Sequence, residues 1–315
     1  MKTKRLVNFL RCTQKKIKNK GVCKGTLDLN NDNILTCSTC GYQYKYLHGV
    51  PIIKSESETY EYADDWFEQM YANRSRSLEI KSNYLQNERK LLDRFVEEHH
   101  INGPCLEIGC GVGILADNVP NFIGLEYSLK SLLSEGFESF IRVCSDATIM
   151  PFNDAFAELI FSFNTLEHVP NVDLAFGEMD RVLKPGGFLI LKPAWHCTRY
   201  NTELIPVLPY SQLNLRQKIT KAFLLILRSK LYKLVTRIPY RLWRRITSRK
   251  NNSLNWERLI PYHGELWIAD ADATASIDSH EAILYYQSRG YKCLSHSGIF
   301  KQLLAGHDVV ILRKP

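Results

Sequence analysis

A chain of 315 residues, 45% hydrophobic and 23% charged, has ordinary globular proportions and length for one large domain or two smaller ones, which excludes wholesale disorder. No apolar run, the longest being Ala222–Leu227, approaches the roughly 18 residues of a membrane-spanning helix, and the basic residues throughout 1–20 argue against a secretory signal. The net charge of +8 is unevenly spread: residues 1–27 carry nine Lys or Arg and residues 204–256 carry twelve, with no acid in either. An acidic body thus bears two basic attachments where a polyanion would bind, and the expected setting is cytoplasmic.

Residues 1–55 form a small Lys-rich unit that holds Cys12, Cys23, Cys37 and Cys40 and ends in Gly49-Val-Pro-Ile-Ile53. Cys37-Ser-Thr-Cys40-Gly41 has the spacing of a zinc knuckle, two thiolates on a tight turn with Gly41 relieving the backbone. The other half is irregular: position 20 is Lys, and the remaining thiol near Cys23 is Cys12. Two readings stand, a zinc ion on Cys12, Cys23, Cys37 and Cys40 or a degenerate ribbon that folds without metal.

Residues 57–100 read as helical, from Trp66, Met70 and Tyr71 and then Leu91, Leu92 and Phe95 at helical spacing, until Gly103-Pro104 stops the pattern. Strand and helix then alternate. A strand Cys105–Ile108 runs into a Gly-rich turn and a helix from near Ile114, and strands follow at Phe122–Leu125, Leu159–Phe163 and Phe188–Leu191. After Trp195 the rhythm breaks until a helix near Asp278–Arg289 and strands at Tyr291–Ser295 and Asp308–Arg313. This order predicts an α/β fold around a mostly parallel, doubly wound sheet.

In Cys105-Leu-Glu107-Ile-Gly109-Cys-Gly111-Val-Gly113 a buried strand meets three glycines at alternate positions, where a tight turn must let a ligand approach the backbone. The second strand ends in Glu126, 19 residues after Glu107, an acid suited to ribose hydroxyls. Next come Ser145-Asp146-Ala147-Thr-Ile-Met-Pro-Phe152, Phe163-Asn164-Thr-Leu-Glu167-His168 and Arg181-Val-Leu-Lys-Pro-Gly-Gly187. These five ordered segments resemble the small-molecule branch of the class I S-adenosylmethionine-dependent methyltransferases, over roughly 100–195 and 277–315. The resemblance implies a Rossmann-like sheet of seven strands, the last antiparallel. It implies that Gly109, Gly111 and Gly113 border the methionine part of S-adenosylmethionine and that Glu107 orients it. Glu126 would hold the ribose, Asp146 and the Ala147 N–H the adenine, and Asn164 would lie beside the sulfonium. The family more often has Asp where this chain has Glu126. The loop reads GxGxG, which argues against a nicotinamide dehydrogenase. Residues 23–53 resemble the zinc-ribbon modules fused to some methyltransferases.

The expected domains are therefore a zinc-ribbon-like module at 1–55, a methyltransferase domain at 56–195 and 277–315, and a basic helical insertion at 196–276. Within the insertion, Ile219, Ala222, Phe223, Ile226 and Leu227 share one helical face opposite Lys218, Lys221 and Arg228. Pro239 then interrupts, and Leu242, Trp243 and Ile246 interleave with Arg241, Arg244 and Arg245. Such a stretch suits an anionic membrane surface, or else a lid over the acceptor pocket. His168 is the candidate general base, against a packing role, with His196 and His263 behind it. The expected activity is methylation, at oxygen, of a small or membrane-associated acceptor such as a glycan intermediate, lipid or quinone precursor, at the inner face of a membrane. An RNA methyltransferase gripping phosphates is the rival, and a binding protein retaining the fold is the non-enzymatic one.

Overall fold

The computed structural model describes residues 6–14, 21–30, 32–54, 83–134, 140–248, 250–266 and 268–315. The helix expected from Trp66, Met70 and Tyr71 lies outside them. The chain divides into two units, Met1–Ser162 with Leu174–Phe188, and Phe163–Asp173 with Leu189–Pro315.

The first unit opens on four short strands, β1 (Leu27–Leu29), β2 (Ile34–Cys37), β3 (Gln43–Leu47) and β4 (Val50–Ile53), paired antiparallel in sequence order. Helix α1 (Gln86–His99) buries Leu92 and Phe95 and stops at His100, which is left-handed at φ 52°. The sheet strands β5 (Cys105–Ile108), β6 (Phe122–Glu126), β7 (Ile141–Ser145) and β8 (Ala157–Phe163) follow, with α2 (Leu129–Leu132) between β6 and β7. Strand β5 pairs parallel with both β6 and β8, and β6 parallel with β7. Every residue of β5 and β6 is buried, as expected of central parallel strands covered on both faces. The order within this unit is β1-β2-β3-β4-β7-β6-β5-β8, continued by β9 (Leu183–Lys192) after helix α3 (Val172–Val182).

Two features depart from expectation. The segment 50–53 is a sheet strand in its own right: β4 pairs parallel with β7, Ile52 opposite Cys144 and Ile53 opposite Ser145, and the Ser145 hydroxyl donates to the Ile53 carbonyl at 2.6 Å. The helix expected from Ile114 shrinks to one 3₁₀ turn at Ala116–Asn118. Pro120 lies too close behind Gly113 for more, since proline restricts the residue before it and cannot donate to a continuing helix.

The second unit carries the end of β9 and then an irregular helical stretch: α4 (Arg199–Thr202), α5 (Leu215–Ala222), α6 (Leu224–Arg228) and α7 (Lys230–Thr247). Asn214 caps α5 in a reciprocal capping box with Gln217, and Ser229 caps α7 by accepting from the Tyr232 N–H. Phe223 breaks the single face expected over 219–227, so α5 and α6 are separate helices. Pro239, by contrast, does not end α7. It stands on the exposed side, where water can take the carbonyl its missing N–H leaves free. Strands β10 (Trp256–Arg258) and β11 (Ala275–Ile277) pair antiparallel. Helix α8 (Ser279–Gln287) is capped by Asp278, which accepts from the His280 N–H, and α9 (Ile299–Leu303) precedes the last strand. Strands β12 (Lys292–Cys293) and β13 (Val310–Arg313) pair antiparallel, with β13 beside β9. Leaving out β10 and β11, which form their own sheet, and renumbering the remaining strands from β5 as one, the order runs 3-2-1-4-5 in the first unit and 5-7-6 in the second. The fold is the Rossmann-like, mostly parallel sheet that the alternation predicts.

Candidate functional site

The first unit gathers the Gly-rich loop and three buried carboxyls. Gly109, Gly111 and Gly113 all take positive φ, at 71°, 51° and 69°, a region where an L side chain is strained. The Gly109 and Cys110 N–H groups donate to the Leu125 carbonyl at 2.8 and 3.1 Å, which ties the turn to the end of β6. A Cβ on Gly113 would overlap the Phe140 ring. Glycine is required there twice over.

Glu126 ends β6 and turns back on the loop. Its Oε2 accepts from the Gly111 N–H at 2.9 Å, and its Oε1 from the Tyr127 and Ser128 N–H groups at 2.8 and 2.9 Å. Burial raises its pKa above the ordinary carboxylate value, with those three N–H groups opposing. Asp146, just past β7, accepts at Oδ1 from both the N–H and the hydroxyl of Thr148 at 2.7 Å, and burial raises it too. Ala147 beside it is buried. Glu107 is the most confined: it is 3% exposed, its Oε2 has no hydrogen-bond partner among the described residues, and burial, then the charge of Glu126, pushes its carboxyl well up.

Sequence reasoning missed two supports of this site. Lys54, the residue after β4, lies over the Tyr127 ring at 3.8 Å and acts electrostatically on both Glu126 and Asp146. Only the pairing of β4 with β7 brings it there, and no local signal announces that pairing. Arg181 donates to the carbonyls of Met150 and Phe152 at 2.9 and 2.6 Å and pairs with Glu178 and Asp154, while Glu178 accepts from the Met150 N–H at 2.7 Å. The arginine of the Arg181–Gly187 segment thus clamps the loop that carries Asp146 and Ala147.

These residues fit S-adenosylmethionine. Three buried carboxyls with one neighbouring lysine make a site short of positive charge, and the orphaned Glu107 oxygen calls for a donor. The ligand brings an ammonium, a sulfonium and two ribose hydroxyls.

Asn164 and His168 belong to the second unit. Asn164 is exposed and left-handed at φ 49°, its N–H donating to the Lys192 carbonyl at 3.0 Å. His168 stands between carboxylates: Nε2 is 3.7 Å from Glu167 Oε1 and Nδ1 is 3.5 Å from Asp272 Oδ2. Burial lowers its pKa, but Glu167, Asp272 and Asp270 outweigh it and the net shift is upward. His263 feels Asp272 and His168 and is lowered by burial. His196 is lowered to about 3, chiefly by burial.

The sulfur atoms of Cys12, Cys23, Cys37 and Cys40 all lie within 4.8 Å of one another. The Cys12–Cys40 and Cys23–Cys37 separations are 3.6 and 3.7 Å. Four thiolates at tetrahedral Zn–S bonds of about 2.3 Å stand roughly 3.8 Å apart, so the set fits zinc. Cys12 completes it because its N–H donates to the Gly25 carbonyl and its carbonyl accepts from Lys24, and the Tyr44 hydroxyl lies 3.2 Å from its sulfur. Against burial, the N–H groups of Cys40 and Thr39 bring the Cys37 thiol down to about 7.

Residues 106–191 match the family model described as "Methyltransferase domain". This stretch carries a methyltransferase domain. Among curated relatives, the sterol 4-C-methyltransferase of Caenorhabditis elegans is 31% identical over 102 residues, 29% of this chain and 30% of that protein. The 24-methylenesterol C-methyltransferase 2 of Oryza sativa subsp. japonica is 34% identical over 98 residues, 27% of each chain. The methyltransferase domain is thus matched over less than a third of these relatives' length. A solved structure of a putative S-adenosyl-L-methionine-dependent methyltransferase from Methanococcus maripaludis aligns at 16% identity over 67% of this chain and 94% of that one, with a TM-score of 0.36.

Proposed function

We propose that the chain transfers the methyl group of S-adenosylmethionine to a small or membrane-associated acceptor, in the class of glycan intermediates, lipids and quinone precursors. The observation that carries the methyl-donor half is the Glu126 carboxylate anchored to Gly111, Tyr127 and Ser128, beside the orphaned oxygen of Glu107. The lipid half is supported by the sterol substrates in the relatives' names.

S-adenosylmethionine supplies an activated methyl on a good neutral leaving group, so the chain's work is alignment and exclusion of water. In this reading Glu126 holds the ribose, Glu107 the ammonium, and Asp146 with the Ala147 N–H the adenine. His168 is the candidate base for an acceptor that must give up a proton, its ring held between Glu167 and Asp272, whose charges raise its pKa against burial. The same segment is held by the Thr274 N–H, which donates to the Glu167 carbonyl at 2.8 Å. The four cysteines hold one structural zinc ion and so fix the strands that end in β4 and Lys54.

The test is incubation with methyl-tritiated S-adenosylmethionine, a total membrane-lipid extract and total RNA from the cell that makes the protein. Label in the organic-extractable fraction is expected. Label in RNA would replace this reading with the nucleic-acid one.

A further inference from the structure

Helix α7 is amphipathic the wrong way round for a helix that merely covers its own domain. Its basic side faces the protein: Arg241, 2% exposed, binds Asp278 through two nitrogens at 2.7 and 3.1 Å and the Leu303 carbonyl at 2.6 Å. One turn on, Arg244 forms a two-pronged pair with Glu281 at 2.7 and 2.8 Å, and Arg245 donates to Gln302. These arginines are therefore not a polyanion grip, which corrects the expectation drawn from their interleaving with Leu242, Trp243 and Ile246. The apolar side faces out. Leu231, Leu234, Val235, Leu242 and Ile246, between 41% and 84% exposed, fall within about 120° of one another at 100° per residue. They form one stripe along a helix of 18 residues, with Trp243, 57% exposed, beside it. On the preceding helices Leu215, Ile219 and Leu225 are exposed as well.

We propose that this outward stripe docks on an anionic lipid bilayer, with α7 lying in the interface plane. A contiguous aliphatic stripe of this length on a surface asks for a partner. Three observations choose the bilayer. Residues 204–256 carry twelve bases and no acid, and Lys218, Arg228, Lys230 and Lys250 are exposed along this stretch. A second copy of the chain would oppose this positive surface to itself, whereas anionic headgroups complement it. The stripe is aliphatic, and a nucleic acid rewards charge and stacking instead. No described helix is long and apolar enough to cross a membrane, so the helix lies on the bilayer. The docking does not depend on methyl transfer, and its test reads membrane binding alone.

The experiment is co-sedimentation of the full chain with vesicles of phosphatidylcholine, and of phosphatidylcholine mixed with phosphatidylglycerol. Binding is expected to the mixed vesicles, weakened but not abolished by high salt, because salt screens only the electrostatic part. The double variant Leu231→Ser, Ile246→Ser should bind about tenfold or more weakly, with unchanged thermal unfolding and S-adenosylmethionine affinity, since both side chains are solvent-exposed. Arg228→Gln with Lys230→Gln should weaken binding to the mixed vesicles and flatten its dependence on anionic lipid and on salt; unchanged dependence on both overturns the charge half of the proposal. Full binding by the Ser variant, or equal binding to pure phosphatidylcholine, overturns the proposal. So does absence of vesicle binding together with a dimer in sedimentation velocity, which would assign the stripe to a second copy, or displacement from vesicles by RNA.

Discussion

Glu126→Gln isolates the ribose contact with almost no change in volume. In the wild type one carboxylate oxygen accepts two backbone N–H groups and the other accepts the Gly111 N–H at 2.9 Å. Each oxygen offers about two lone-pair positions, so Oε2 retains one for a ligand hydroxyl. The amide cannot reproduce this. With its oxygen toward Tyr127 and Ser128, its NH₂ faces the Gly111 N–H, donor against donor. A hydrogen bond to a charged acceptor contributes about 1.5–3 kcal/mol, which predicts a fall in affinity of roughly 10- to 150-fold. Calorimetric titration with S-adenosylhomocysteine, the demethylated product, reads this without turnover, and the unliganded melting temperature separates damage to the loop from loss of the contact. Wild-type affinity in a folded Glu126→Gln protein would refute the assignment of the ribose to this carboxylate.

Further outcomes follow from the same structure. Purified protein should carry one zinc per chain, lost on Cys37→Ser or Cys40→Ser together with thermal stability; a folded, metal-free chain would leave the degenerate ribbon. Gly113→Ala should destabilise by at least about 1–2 kcal/mol in urea titration, the cost of a side chain at positive φ, and an unchanged midpoint would contradict the φ of 69° and the overlap with Phe140. His280 is fully buried, both ring nitrogens lack partners among the described residues, and burial, opposed by Asp278 and aided by Arg241, Arg245 and Arg244, lowers it from 6.5 to about 4. A depressed histidine pKa means the unfolded chain takes the proton first, so this stability is complete above pH 6.5 and declines as pH falls toward 4. The decline totals roughly 3 kcal/mol. His280→Leu should flatten that part of the acid limb in denaturant titrations, and an identical limb would show that the group does not titrate as described.

What the sequence disclosed was local. Gly109 to Gly113 and Glu126 stand at the ends of strands that the alternation made legible, their roles and that of Asp146 came from the resemblance, and the structure gathers the loop, Glu107, Glu126 and Asp146 in one unit. The parallel strand β4 was hidden because Val50–Ile53 is short and its partner Ile141–Ser145, interrupted by Arg142, carries a weak apolar signal. Lys54 was hidden with it. The hydrophobic pattern of α7 was visible, but not which side faced out. That depends on Asp278 and Glu281, 37 residues beyond the arginines they hold, a distance that helical periodicity does not reach.

The most direct test is equilibrium binding of S-adenosylmethionine to the wild-type chain with backbone amide NMR. The account predicts one site per chain, displaced competitively by S-adenosylhomocysteine, with the largest shifts at Gly109, Gly111, Gly113 and Tyr127. Absence of binding, or saturable binding that leaves those amides unmoved, would contradict it.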